Sequence, residues 1–524
     1  MIKTILSIFF IVGALCSPLK SKGNGKIPLQ DIENSTAIIE GVTDIIPDST
    51  VITLFRFYGD AGMSVAKDTV TNGKFRLEYA MGAEEDVQKM SIVCFIPEIA
   101  GSGRTIFLSP GANIKVDAST IDSQLWEVIS NLNEQKEYDR ILFSAADLYR
   151  EINRLNSEMD KSLADRELSR EQRKQIIADT RSALSALHDS IDNRKYLTLL
   201  NMEHTPVWFD EFISLSDTGS SGDSPLTAKL KALYESLNQS EKESPEGEKI
   251  YAYLYPESKI NIGDKVPDIE FIDFNGNTRT LSEFTGKWIL LDIWSGGCGP
   301  CHMAAPDLKA FAEKNKEKVE VVSISIDDDE FWRISTANLK LEGNNWRDSK
   351  GQAGIYSRFN AQGLPTFIVI NPEGIYTKNQ FGYSKGMFER MFRPLLYPKP
   401  AMTLDKTTTG TKVNYPDYSE NNTDNILEID SIELSDDRII INFHVYYIPN
   451  WWIKISPESY LELPDGSKLN IIEAQGITLG EEFRANADGE NRFTLVFPGL
   501  GKDTQSVNFI ESANWNMKNI RLAP

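Results

Sequence analysis

The stretch Trp288-Ile289-Leu290-Leu291-Asp292-Ile293-Trp294-Ser295-Gly296-Gly297-Cys298-Gly299-Pro300-Cys301-His302 decides how the rest of the chain is read. Its apolar first half reads as a buried strand, and Met303 to Lys314 reads as a helix, so two cysteines fall at a strand-to-helix turn. A sulfur at the first turn of a helix faces unpaired backbone N–H groups, which favour the thiolate over the thiol. The thiolate is the form that attacks disulfides. The two-residue spacing lets Cys301 reach the sulfur of Cys298 and close a small ring, so a mixed disulfide on Cys298 can be resolved from within.

The 524 residues exceed one core and suggest three or four units. Residues 258–400 are neutral, with 18 Lys+Arg against 18 Asp+Glu, so the acidic excess lies in the flanks. No basic patch of the kind that neutralises phosphates occurs, which argues against nucleic acid as a partner. Residues 1–16 place Lys3 before an apolar run from Ile5 to Leu15 and then Cys16, the pattern of a signal peptide, too short for a permanent span. Cys16 is a candidate lipid-bearing cysteine, which would be the chain's one attachment to a membrane, although Leu15 stands where a small residue is usual. Cys94, in the apolar run Ser91–Ile96, reads as a small core residue. So few cysteines in an exported chain make a catalytic pair more natural than a disulfide scaffold.

Residues 27–120 carry short β-patterned runs, Thr50–Phe57, Gly73–Leu77 and Ile106–Leu108, with an Asn72-Gly73 hairpin signal, and are expected to form a β-rich domain. Their Pro47–Ser49, Asn72–Phe75 and Ser109–Gly111 turns resemble the β-rich domain of unknown function that precedes thioredoxin-like domains in exported bacterial proteins. Residues 121–255 turn helical. Ile141, Ala145, Leu148, Ile152, Leu155 and Met159 form one stripe and Ile177 to Ile191 another, which predicts two long antiparallel helices, with shorter ones near Val207–Leu215 and Leu226–Leu237 and a break over Gln239–Glu248. His188 and His204 lack Cys or His neighbours, and neither a metal nor a cofactor is expected.

Residues 258–400 alternate strand and helix, an α/β pattern with an opening hairpin at Val266–Phe271, strands at Trp288–Trp294, Val319–Ile326 and Thr366–Ile370, an extra helix at Asp329–Leu341 and a last one at Lys385–Pro394. Cys298-Gly299-Pro300-Cys301 after an Asp-x-Trp strand, Pro306 five residues on, and Gly363-Leu364-Pro365-Thr366 before a strand resemble the TlpA/ResA-like thiol-disulfide oxidoreductases of the thioredoxin superfamily. The resemblance implies a thioredoxin fold, Cys298 as nucleophile, Cys301 as resolving thiol and a redox disulfide between them. It also implies that Asp292, a buried acid six residues before Cys298, relays the proton of Cys301. The proline matching Pro365 is cis in that family and faces the cysteines; with Leu364, Trp294, Gly299 and Pro300 it makes up the implied substrate surface. Pro306 would kink the helix. His302 reads as a solvated helix residue. The chain departs from the family at Gly297, where a bulky aromatic is usual.

Residues 402–524 return to β alternation, with Ile439, Ile441, Phe443, Val445 and Tyr447 on one face and Phe493, Leu495 and Phe497 on another run, and a β-sandwich is expected. Trp451-Trp452 reads as packing. The ending resembles C-terminal modules that accompany such oxidoreductases. The expected whole is a multidomain protein with a β-rich N-terminal domain, a helical middle, an α/β thioredoxin fold and a C-terminal β-sandwich. Its expected function is exchange of electrons with disulfides of envelope proteins in the periplasm, as a reductant fed by a membrane electron donor. Gly-Pro between the cysteines resembles thioredoxin, near roughly −270 mV. An adaptor with little redox turnover is the alternative from another class. A thiol peroxidase fits less well, because Trp294 stands where that family's Pro-x-x-x-Thr/Ser-x-x-Cys pattern has its proline.

Overall fold

The computed structural model describes residues 35–523, apart from 59–60, 83–84, 166, 220–223, 409, 488 and 501–503. The leader-like run and Cys16 lie outside the described residues. The chain falls into two compact units, one of Met1–His302 with Val321–Phe381 and one of Met303–Glu320 with Gly382–Pro524. Among the described residues no helix is long and apolar enough to cross a membrane.

In the first unit, alternation of apolar and polar residues builds two four-stranded sheets. One runs in the order Lys74–Ala80, Thr36–Val42, Asn113–Asp117, Glu127–Ile129, and the other Ala61–Thr69, Val51–Tyr58, Gln88–Cys94, Arg104–Leu108. Their inner faces share one core that includes Ile39, Leu54, Ile92, Cys94, Ile106 and Trp126. The helices Asn133–Phe143, Ala146–Leu163, Arg170–Leu199, Pro206–Gly219 and Pro225–Glu235 follow. The first apolar stripe is therefore carried by two helices, not one. The helix ends at Phe143; the Ser144 hydroxyl turns back to donate to the Ile141 carbonyl at 2.6 Å, and Ala145 leaves helical backbone angles at φ −125°. Such local hydrogen bonding of Ser competes with helix continuation. The break expected over Gln239–Glu248 is also replaced by two short helices, Gln239–Lys242 and Pro245–Leu254. They are started by Asn238 and Ser244, whose side chains accept from the N–H groups of Glu241 and Gly247.

The same unit holds most of a seven-stranded mixed sheet. Its order is Thr278–Thr280, Glu270–Ile272, Asn344–Arg347, Val319–Ser325, Trp288–Trp294, Thr366–Ile370, Tyr376–Phe381. The strand Trp288–Trp294 lies inside the sheet and is buried almost throughout, which is why its sequence is nearly continuously apolar. It pairs antiparallel with Thr366–Ile370, setting Asp292 opposite Phe367 and Ile293 opposite Thr366. The inserted helix spans Asp329–Leu339, capped by Asp328, whose carboxylate accepts from the Phe331 N–H at 2.8 Å. Arg56, on a strand of the N-terminal sheets, forks onto Glu330 in the first turn of that helix, with both bonds at 2.8 Å.

The second unit joins the helix Met387–Leu396 to a two-stranded sheet, Trp452–Ile453 with Phe483–Arg484, and to two larger ones. One has the order Thr403–Lys406, Gly410–Asn414, Leu427–Ser435, Arg438–Tyr446, Glu490–Pro498, Glu473–Gln475. The other has the order Glu420–Asn421, Trp515–Arg521, Ser506–Ser512, Tyr460–Glu462, Lys468–Asn470. Ile441, Phe443, Leu495, Phe497, Phe509 and Met517 fill the space between them. Phe388 and Phe392 meet Phe311, and Asp307 accepts from Tyr383 and Lys385. Trp451 and Trp452 are not packed as the sequence suggested but stand 46% and 51% exposed: the two-residue strand Trp452–Ile453 turns only Ile453 inward, and Trp451 ends the turn ahead of it, its N–H donating to the Ile448 carbonyl.

Candidate active site

The end of Trp288–Trp294 delivers the chain into Ser295–Gly297, and the helix Gly299–Asn315 starts immediately after Cys298. Cys298 and Cys301 are joined by a disulfide. The Cys301 N–H donates to Cys298 Sγ at 3.1 Å, so a first-turn amide of the helix is aimed at the sulfur. A charge on Cys298 would be met by that amide, whose N–H is shared with the Cys298 carbonyl at 3.0 Å, and by the dipole of the helix start.

Beneath the pair lies an apolar cluster of Trp294, Cys301 and Trp332, edged by Cys298, Leu339, Leu341 and Leu364. The inserted helix supplies Trp332 and Leu339 to it, and this is what the helix adds to the site. Cys301 is buried and Cys298 is half-buried, so solvent and partners meet Cys298 first. Pro300 is exposed at the first helical turn and Gly299 is half-buried beside it. The Leu364–Pro365 peptide is cis, Pro365 is buried, and the strand Thr366–Ile370 begins next to it. Pro306 lies inside the helix.

Asp292 is 8% exposed, and among the described residues the one hydrogen bond to its carboxyl comes from the Ser323 hydroxyl, which donates to Oδ2 at 3.0 Å. Burial pushes the Asp292 carboxyl up to about 7, against the smaller pull of the Ser323 bond. A carboxyl near neutrality both holds and releases a proton at working pH. Cys94 offers the opposite environment: it is the free cysteine among the described residues, buried in a strand, and burial together with Glu98 pushes its thiol up to about 11.

Two features of the site escaped the sequence reading. His302 is not a solvated helix residue. Its Nε2 lies 2.7 Å from the Gly296 carbonyl oxygen, and since a carbonyl only accepts, Nε2 carries the proton. Asp327, the residue after the strand Val319–Ser325 and Ile326, accepts from Ser295 Oγ at 2.6 Å, from the Gly296 N–H at 2.7 Å and from Ser325 Oγ at 2.8 Å. Burial holds its carboxyl above the usual carboxylate range in spite of those bonds. The signal available in the sequence was polar Ser323 and Ser325 on a buried strand, ahead of the Asp327-Asp328-Asp329 run.

A disulfide-linked CGPC pair on a thioredoxin-like sheet, with a buried acid on the preceding strand and a cis-proline strand beside it, defines a thioredoxin-fold dithiol protein. The Redoxin family model matches residues 261–392. The thiol-disulfide oxidoreductase ResA of Bacillus cereus (strain ZK / E33L) is 31% identical over 126 residues, covering 23% of this chain and 70% of that protein. The ResA of Bacillus thuringiensis subsp. konkukian is 32% identical over 77 residues, and there the chain spans 44% of the relative's length and the match 14% of this chain. Among solved structures, the thioredoxin domain of a thiol-disulfide oxidoreductase from Bacteroides vulgatus is 26% identical, with 24% of this chain and 91% of that chain covered and a TM-score of 0.23. The chain belongs to the TlpA/ResA-like family of the thioredoxin superfamily.

Proposed function

We propose that this protein is a thiol-disulfide oxidoreductase that reduces disulfides of other proteins through Cys298 and Cys301. The observation that carries the reading is the disulfide at the helix start with the Cys301 N–H on Cys298 Sγ. In the reduced protein the Cys298 thiolate attacks one sulfur of a substrate disulfide and expels the other as a thiolate, leaving a mixed disulfide. Cys301 then gives its proton to the Asp292 carboxylate and attacks Cys298 Sγ. The Cys298–Cys301 bond forms, the mixed bond breaks, and the second substrate sulfur leaves as a thiol once protonated. Two electrons pass from the dithiol to the substrate, and a donor dithiol returns them.

Gly299, Pro300 and Leu364, next to the cis peptide of the buried Pro365, form the surface on which the substrate segment lies in this reading, and Trp294, 1% exposed, is the wall beneath it. The domain order, a β-rich domain at 27–120, a helical region at 121–255, the thioredoxin-like part at 258–400 and a β-sandwich at 402–524, surrounds one redox site with partner-choosing flanks. The leader-like residues 1–16 favour work in the cell envelope, with envelope proteins as substrates and electrons from a membrane donor. A Cys301→Ser variant tests the reading. It should accumulate covalent complexes on Cys298 that dithiothreitol releases, and recovery of none where a control thioredoxin variant traps partners would overturn exchange in favour of an adaptor role.

A further inference from the structure

Two consecutive glycines precede Cys298, and glycine leaves a backbone with the most conformational freedom. Neither has a side chain with which to fix the loop. Yet every polar backbone group of Gly296 is tied down from outside the loop: its N–H donates to Asp327 Oδ2 at 2.7 Å and its carbonyl accepts from His302 Nε2 at 2.7 Å. Ser295 Oγ donates to Asp327 Oδ1 at 2.6 Å and accepts from the Gly297 N–H at 3.2 Å, and the Ser295 carbonyl accepts from the Cys298 N–H at 3.0 Å. The inserted helix closes the remaining side, since a Cβ at Gly296 would overlap Ser335 Oγ and press on Phe331. Asp327 is itself fixed by Ser325, whose hydroxyl donates to Oδ2 at 2.8 Å and accepts from the Asp327 N–H at 3.1 Å.

We propose that Asp327 is a positioning residue for Cys298: as acceptor for Ser295 and Gly296 it holds the loop so that Cys298 Sγ meets the first-turn amides of the helix. The proposal rests on Cys298 being the attacking thiol. Its chemistry follows from the geometry of the two donors. If the loop slackens, the sulfur drifts from the Cys301 N–H and the thiolate loses its stabilisation. A carboxylate acting only through its charge would do the reverse, raising the thiol's pKa while present and lowering it when removed. Among the described residues, Asp328, which caps the inserted helix and whose charge acts on Asp327, and His302, on the Gly296 carbonyl, also face this loop.

The experiment compares Asp327→Ala, Asp327→Asn and Ser295→Ala in the full chain, reduced, with iodoacetamide alkylation of Cys298 followed across pH. Asparagine keeps an acceptor for the Gly296 N–H and removes the charge, whereas alanine removes both. The expected result is a profile moved to higher pH in Asp327→Ala, with alkylation at neutral pH about ten-fold slower, and Asp327→Asn within about two-fold of the unaltered protein. A profile in Asp327→Ala that coincides with the unaltered protein overturns the proposal. So does a common shift of the alanine and asparagine variants to lower pH, which would assign the residue a purely electrostatic role. If Asp327→Ala does not fold, Ser295→Ala decides: about three-fold slower alkylation supports positioning and no change refutes it. Alkylation is read without any substrate, so the outcome stands apart from whether the chain exchanges with proteins, which the Cys301→Ser trap addresses.

Discussion

Cys94 and Cys298 are both on buried frameworks of the same compact unit, yet their surroundings give them opposite chemistry. Cys94 ends a strand, packed in the core between two sheets, and its burial holds the proton on the sulfur. Cys298 sits just ahead of a helix, half-buried, with an amide aimed at its sulfur. A strand spends its amides on neighbouring strands, while a helix start leaves them free. Burial keeps the proton on one sulfur, and an amide at a helix start meets the charge on the other.

The widest separation between the two sites should come from deleting each sulfur. Cys298→Ser is expected to reduce protein-disulfide turnover to background, on the order of 10⁴-fold or more, whereas Cys94→Ala leaves it within about two-fold; insulin reduction measures both. Labelling the reduced native protein at pH 7 should modify Cys298 at least about a thousand-fold faster than Cys94, since a thiol at about 11 is ionised in only about one molecule in 10⁴. Mass mapping of a timed alkylation checks the ratio, and comparable rates would mean that the sheet core opens readily.

Asp292 sharpens the comparison from the side of the acid. Its folded pKa of about 7 lies above the ordinary 3.8, so the folded protein binds a proton that the unfolded chain releases. The stability tied to that proton is fully present below about pH 3.8 and is lost as pH rises through about 7. At pH 8 Asp292→Asn should therefore stabilise the oxidised protein by up to about 4 kcal/mol, with little effect at pH 4, while slowing resolution of mixed disulfides. Urea unfolding at the two pH values gives the difference, and a gain equal at both would remove the carboxyl's titration as its cause. The smallest effect belongs to packing at Cys94, where Cys94→Ala should cost about 1 kcal/mol in the same unfolding experiment.

What could be read in the sequence is what neighbours in the chain determine. The strand Trp288–Trp294, the helix after Cys298 and the Asn275-Gly276 turn between Glu270–Ile272 and Thr278–Thr280 each announce themselves within a dozen residues. Cys298, Cys301 and Pro365 stand out through motif spacing. Asp327 does not, because its importance comes from hydrogen bonds to residues about thirty positions earlier. His302 looked solvated because periodicity reports a helix face and says nothing of a carbonyl six residues back, in the loop ahead of the helix. The break at Ser144 hides inside an unbroken apolar stripe, since the stripe records which side faces the core and not whether the backbone is continuous. Trp452 shows the converse: large apolar side chains are usually interior, but the strand Trp452–Ile453 alternates and turns only Ile453 inward.

The makeup of the second compact unit bears on how the chain could be shortened. Met303–Glu320 and Gly382–Pro524 belong together, so the helix Met387–Leu396 shares its unit with the C-terminal sheets. Arg393 of that helix lies over the ring of Tyr446, and the Asn425 side chain donates to the Arg390 carbonyl. A gene cut after Pro398 would thus not release a trimmed enzyme from an optional appendage. It would strip a cover from the helix that ends the thioredoxin-like segment, making the last hundred or so residues a term in the inheritance of the redox domain itself.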